Sequence, residues 1–435
     1  MSYAIKELFT ASGISGGYAG MDIRVGLNTL LIWQSCRMGY NSSRLDKFDR
    51  SGNVLKTYFS GWDNANSKAP NLTMLKSDGL WHCYGYGVVS GCGCSSKGTV
   101  YFVKPDDSFH CLCTPTDNYT HNLAGMFYFP KYDVFLSGGD ASGCNLHIID
   151  PAPDWIAHIP ATDTSCGGYI RRIGIIPCQS GRAYIPWSVY DSGGNPIEYK
   201  IAQIDLFDLM DNYSTISYLQ DLSSWTLIGD FYNDFGLAKA FDKPQYNFIF
   251  DKCIVFWTDY VRVDFSTNTA NDVTPRPNNQ QMPAPLLWDH MVLFDYPNSR
   301  IVIKQLSTDE IIQEFSYDYQ GFYDIRYSFK PAFVHVFGNR DTQQIKVVAI
   351  TYKGKAPYVI YNKARTRFAV IDWLTRRSLK CKVKIVWSYT TGAPAPILDE
   401  PDWTDEMTVD GWTSIPSKPS TDPLVFCAYP MEVII

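Results

Sequence analysis

Phe48-Asp49-Arg50-Ser51-Gly52-Asn53 reads as the end of a strand running into a tight turn. An Asp at a strand exit accepts backbone N–H bonds in the turn that follows, which is why turns select it. The same apolar-Asp pairing recurs at Ile149-Asp150, Ile204-Asp205 and Val263-Asp264. The last three aspartates are spaced by about one repeat length and the first gap is about two. Val103-Lys104-Pro105-Asp106 sits near the middle of that long gap as a degenerate copy. Two further hairpins continue the series without the Asp: Arg300-Ile301-Val302-Ile303-Lys304 into Ile311-Ile312, and the run 345–351 into Tyr358-Val359-Ile360. Seven units of about 50 residues result.

Period-2 alternation and short apolar runs dominate around these turns, and helical periodicity is scarce. Thr29-Leu30-Leu31-Ile32-Trp33, Val100-Tyr101-Phe102-Val103 and Lys346-Val347-Val348-Ala349-Ile350 all read as strands. The chain is therefore all-β. Repeats of this length, each holding about four short strands, resemble a β-propeller. Each blade can bury its apolar faces only against its neighbours, so the repeats must close into a ring. Blades are expected near 14–60, 68–114, 121–161, 166–230, 233–275, 282–316 and 321–361, with six or eight blades also compatible. Leu206, Leu209, Met210 and Tyr213 fit helical spacing, which predicts a short helix on the rim over 208–222. Residues 1–361 are read as the propeller and 362–435 as a C-terminal extension.

Composition agrees with a packed β fold that works by contact. The 435 residues are 45% hydrophobic and only 19% charged, while 24 Phe, 12 Trp and 29 Tyr bring aromatics to 15%. A net charge of −6 argues against a generally DNA-coating protein. No run approaches the roughly 20 apolar residues of a membrane-spanning helix, and the N-terminus lacks a basic region followed by an apolar one. Synthesis in a cytoplasm, with no membrane partner, is the expectation.

The extension segregates its charge. Lys363, Arg365, Arg367, Arg376, Arg377, Lys380, Lys382 and Lys384 face a single acid, Asp372, whereas Asp399, Glu400, Asp402, Asp405, Glu406 and Asp410 follow as an acidic stretch. Adjacent patches of opposite sign suit charge pairing between subunits, and Arg with Trp is typical of interface hot spots. The expected assembly residues are Lys363, Arg365, Arg367, Arg376, Arg377, Lys380, Trp387, Asp399, Glu400, Asp402, Asp405 and Glu406. Trp373 and Trp387 could also stack on nucleic acid, but the acidic stretch makes subunit contact the better reading.

Catalytic patterns are weak. Gly13-Ile14-Ser15-Gly16-Gly17 matches a nucleophile elbow, yet nothing helical follows it, and it reads as a glycine-rich lead-in to the first blade. Gly91-Cys92-Gly93-Cys94-Ser95-Ser96-Lys97-Gly98 lacks the register of a phosphate loop and runs into a strand. Within it, Cys92 and Cys94 lie across one expected hairpin from Cys111 and Cys113. Alternate residues of a strand share a face, so the four could hold a metal, form disulfides or stay as half-buried thiols. No cofactor and no assigned metal site are expected. The repeated Asp49, Asp150, Asp205 and Asp264 read as turn caps rather than a catalytic pair.

In its divergent propeller, aromatic composition and charge-segregated tail, the chain resembles propeller-bearing tail, nozzle and fibre-associated proteins of tailed bacteriophages. That resemblance implies a non-enzymatic structural or adhesion component of a virion, partnered by copies of itself, by other virion proteins and by a host-surface glycan. The alternative is a carbohydrate-binding or glycoside-active propeller with its ligand in the central pocket.

Overall fold

The computed structural model describes residues 2–12, 20–35, 44–60, 71–75, 81–85, 99–103, 107–113, 122–140, 145–150, 155–162, 170–190, 196–230, 248–250, 253–256, 261–264, 269–272, 283–295, 298–305, 307–308, 310–319, 322–327, 333–339, 342–390 and 404–435. Those up to residue 352 form seven four-stranded antiparallel blades, of which the third and fourth are joined into one nine-stranded sheet that also holds the short strand Ile176–Pro177. The first is Gly20–Val25, Thr29–Ser35, Arg44–Asp49 and Val54–Ser60, and the second Asn71–Leu75, Trp81–Gly85, Thr99–Val103 and Phe109–Cys113. The third is Asn122–Phe129, Val134–Asp140, Asn145–Ile149 and Trp155–Pro160, and the fourth Ile170–Ile173, Arg182–Tyr190, Pro196–Asp205 and Thr226–Asp230. The fifth runs from Phe248–Phe250 to Thr269–Asp272, and the sixth from Pro283–Pro285 to Ile311–Ser316. The third and fourth also touch through one backbone pair, Asp140 with Arg172.

The seventh blade is assembled from both ends of the propeller sequence. Phe322–Tyr327, Val334–Asn339 and Gln344–Tyr352 supply three strands, and the N-terminal strand Tyr3–Ser12 supplies the outermost one. The register runs from Tyr3 opposite Tyr352 to Ser12 opposite Gln344, with a bulge between Glu7 and Phe9. This corrects the expected seventh blade. The chain turns at Tyr352–Lys355, and Pro357–Tyr361 pairs with Arg367–Asp372 in the C-terminal part. The propeller thus ends before the expected boundary at 361, and its ring is closed by a strand that the expected blades left out.

First strands line the inside of the ring. Gly20–Val25 packs against Phe322–Tyr327 on one side and Asn71–Leu75 on the other, and Asn71–Leu75 against Asn122–Phe129. Blades six, seven and one share a continuous core that includes Phe294, Val336, Val347, Ile350, Ile32 and Phe48, while blades three and four share another around Leu136, Ile148, Ile185 and Ile204. Strand Gln344–Tyr352 is buried at seven successive positions, 345–351, five of them apolar, as expected of a strand covered on both faces. Blade one is tied to blade two by Lys47, whose Nζ donates to both oxygens of Asp107 at 2.6 and 2.8 Å.

The opening turn behaves as its sequence dictates. Asp49 Oδ1 accepts from the backbone N–H of Ser51 at 2.8 Å and of Asn53 at 2.9 Å, and Gly52 takes φ 87°, where only glycine is unstrained. Phe9 of the closing strand stacks on Phe48 at 5.9 Å between centroids and covers Gly52. In blade four, Asp205 caps a helix instead, accepting from Phe207 N at 2.7 Å. The helix covers Leu206–Asn212, with Leu206, Leu209 and Met210 buried, so it starts two residues before the expected span and ends well short of it. Residues 213–218 turn away, and only Leu219–Asp221 coils again, as a 3-10 turn.

Candidate functional site

The described residues between 357 and 435 form a β-module of two three-stranded sheets. Pro357–Tyr361, Arg367–Asp372 and Thr413–Ser414 make one; Thr404–Asp410, Lys380–Ser388 and Val425–Ile434 make the other. Strand Lys380–Ser388 explains much of the basic run. Lys380 and Lys382 are exposed, while the alternate residues Cys381, Val383 and Ile385 enter a core with Phe368, Val370, Val409 and Val433. Burial pushes the Cys381 thiol up to about 12, so it stays protonated and unreactive.

The acidic stretch lies beside this strand within the same chain. Lys384 stands opposite Glu406, Ile385 opposite Asp405 and Lys380 opposite Asp410, while Lys382 reaches Glu432 on the other flank at 3.4 Å. Opposite charges are therefore placed across strands of one sheet. Asp399, Glu400 and Asp402 lie outside the described residues.

One side of the module is docked on the ring. Trp373, 2% exposed, joins the core of blades six, seven and one and donates its indole N–H to the Gly26 carbonyl at 2.9 Å. Arg50 donates to the Trp373 and Leu374 carbonyls and lies 4.2 Å over the Trp373 ring. Arg376 donates to Asn28. Tyr389 donates its backbone N–H to the Gln179 carbonyl at 3.1 Å and meets Phe207 edge-on at 5.0 Å. Trp288 contacts Tyr429, with centroids 5.5 Å apart, and Lys353 Nζ donates to the Val433 carbonyl at 3.1 Å.

All these ring residues sit in the connections that follow a first or third strand of blades one, four, six and seven, Phe207 in the short helix that follows the third strand of blade four. In antiparallel blades those turns emerge on one face. Blade four lies across a seven-membered ring from blades seven and one, so a module that touches all of them spans the axis. The C-terminal module caps that face. The extension expected to be a tail is a lid on the ring, and Trp373 is its buried anchor.

The opposite end of the hairpin 357–372 points away from the seam. Five residues of strand carry it about 17 Å from Asp372. Here Arg367 Nη2 donates to the Trp412 carbonyl at 2.7 Å, and Arg365 lies 5.9 Å over Tyr361. Trp412 is 44% exposed and Tyr361 36%, and among the described residues the Trp412 indole makes no ring contact. Thus Arg365 and Arg367 come together at this tip, with exposed Lys363 beside them in the same turn. Arg376 goes to the seam, exposed Arg377 stands beside it, and Lys380 joins the charged sheet face. Trp387 is half-buried against Phe426 at 5.3 Å. Tyr361 and Trp412 were not singled out from sequence. The pairing of Arg367 with Ser414, which brings the two segments together, has no local signal.

Of the cysteine set, Cys111 and Cys113 stand on the outermost strand of blade two, opposite Tyr101 and Thr99. Cys92 and Cys94 lie outside the described residues.

No family model matches the sequence, and no curated protein matches it. Among solved structures the chain is similar to the computationally designed Ika8 protein, at 10% identity over 79% of this chain and 99% of that one, with a TM-score of 0.42. It is similar to a catalytically inactive virginiamycin B lyase from Staphylococcus aureus with quinupristin, at 10% identity over 80% and 99%, TM-score 0.45. A streptogramin B lyase structure gives 10% identity over 80% and 98%, TM-score 0.43. These findings overturn the expectation of a virion component: the neighbours are a designed protein and streptogramin-type lyases, and none of the three is a phage tail protein. Among the described residues no helix is long and apolar enough to cross a membrane.

Proposed function

We propose that the chain is a protein-binding scaffold that pairs with a second copy of itself through the tip of its C-terminal module. The observation that carries this reading is the exposed Trp412, whose carbonyl is held by Arg367 of the same hairpin that carries the Arg365–Tyr361 pair. Trp, Tyr and Arg are the residue types that dominate binding energy when a partner desolvates them. Here they stand at the end of the module remote from the ring, whereas Trp373 and Tyr389 are used in the seam and Phe368 in the core.

Sedimentation velocity over a wide concentration range tests it. The wild-type chain is expected to shift toward twice its 49.3 kDa monomer mass as concentration rises. Trp412→Ala should weaken that association by about 30-fold, the equivalent of 2 kcal/mol. A wild-type chain that remains monomeric throughout, or an alanine variant that associates equally well, would overturn the reading.

A further inference from the structure

Arg50 and Arg376 cross at the seam between the first blade and the module. Arg50 leaves the turn after the third strand of that blade, and its Nη2 donates to the carbonyls of Trp373 and Leu374. Arg376, two residues beyond Leu374, reaches back to Asn28 Oδ1 in the turn after the first strand of the same blade. Its backbone sits in the left-handed region at φ 67°, held by its N–H bond to the Asp372 carbonyl at 2.7 Å. A residue other than glycine rarely adopts that conformation, and its side chain is thereby aimed at the ring.

Neither guanidinium has a carboxylate partner among the described residues. Asp372, whose field reaches Arg50, accepts from Ala356 N at 3.0 Å, Leu374 N at 3.2 Å and Thr375 Oγ1 at 2.6 Å. The Nε atoms of Arg50 and Arg376 are both buried without an acceptor. Burial, and then the neighbouring charge of Arg376, lowers the proton affinity of Arg50, with Asp372 partly offsetting them. Two guanidiniums that feel each other's charge, each with unused donors and neither paired directly with a carboxylate, offer the charge and forked donors that a tetrahedral oxyanion takes.

We propose that Arg50 and Arg376 together bind a phosphate group, which bridges the ring and the C-terminal module and tightens their docking. The site is independent of the tip.

Thermal unfolding followed by tryptophan fluorescence tests this on the full chain. Inorganic phosphate is titrated against sodium chloride of matched ionic strength, with free phosphoserine as a third arm. Inorganic phosphate is expected to raise the midpoint along a saturating curve that chloride does not reproduce. Arg376→Gln should weaken the apparent affinity at least tenfold, and Arg50→Lys, which keeps the charge but loses the fork, should do the same if the glutamine variant fails to fold. Saturation by phosphoserine at lower concentration supports the site and identifies its ligand as an esterified phosphate; equal or weaker action supports it with the free ion as ligand. An identical rise with chloride, or undiminished saturation in a folded variant, overturns the proposal.

Discussion

The guanidinium of Arg50 lies 4.2 Å above the indole of Trp373, which joins a turn of the first blade to a residue more than three hundred positions later. A desolvated pair of this kind is worth about 2 kcal/mol in addition to the area it buries. The module is thereby part of the propeller's own fold. Trp373→Ala removes both the ring that fills the core and the face under Arg50, and should cost about 3–5 kcal/mol in urea unfolding. Arg50→Ala, which leaves the indole buried, should cost less.

Ring closure by the N-terminal strand makes a second prediction. A Cβ at Gly52 would lie 2.5 Å from the Phe9 ring and at a φ that alanine resists, whereas Gly354, at φ 76°, has nothing within 4 Å of such a Cβ. Gly354→Ala therefore carries only the backbone cost of about 1 kcal/mol. Gly52→Ala carries that cost and the displacement of Phe9 from Phe48, and should lose about 1–3 kcal/mol more. Equal losses in denaturant unfolding would show that Phe9 does not seal the turn.

His335 makes the stability pH-dependent. It is fully buried on the second strand of blade seven, edge-on to Phe294 at 5.1 Å, and neither ring nitrogen has a hydrogen-bond partner among the described residues. Burial lowers its pKa from 6.5 to about 3. The unfolded chain therefore binds the proton first, and stability is full above pH 6.5 and declines as pH falls toward 3. The slope in that window is at most about 1.4 kcal/mol per pH unit from this one group. His335→Leu should remove that contribution, so the difference in urea midpoint between variant and wild type must widen on acidification. A constant difference from pH 7 to pH 4 would contradict it.

The sheet face of the module makes a milder prediction. Lys382 pairs with Glu432 at 3.4 Å, and both side chains are about half exposed. Exposed pairs are worth little, so Lys382→Ala should change stability by less than about 0.5 kcal/mol in denaturant unfolding. A large loss would mean that the charged face is covered by something other than water.

What could be read from residues alone followed the range of the interactions. The Asp49 turn and its copies are local, and they located the third-strand exits of the first five blades, while equally local hairpins located the last two. The alternation of Lys380, Lys382 and Lys384 with Cys381, Val383 and Ile385 was equally local, but a count of charges concealed it. The pairing of Tyr3–Ser12 with Gln344–Tyr352 spans almost the whole propeller, and neither strand differs locally from others that could have taken its place. That is why Tyr358–Ile360 was expected to finish the last blade. At the candidate site, Arg365 and Arg367 stood out as charges, whereas Trp412 reaches Arg367 only through a two-residue bridge between distant segments.

The most direct test of the capped ring is calorimetry of the full chain beside a chain that ends at residue 356. If the module is an integral lid anchored by Trp373 and Tyr389, the full chain unfolds in one transition and the shortened one melts at least about 10 °C lower, the equivalent of several kcal/mol. A shortened propeller that melts at the temperature of the full chain, with a second independent transition for the module, would contradict it.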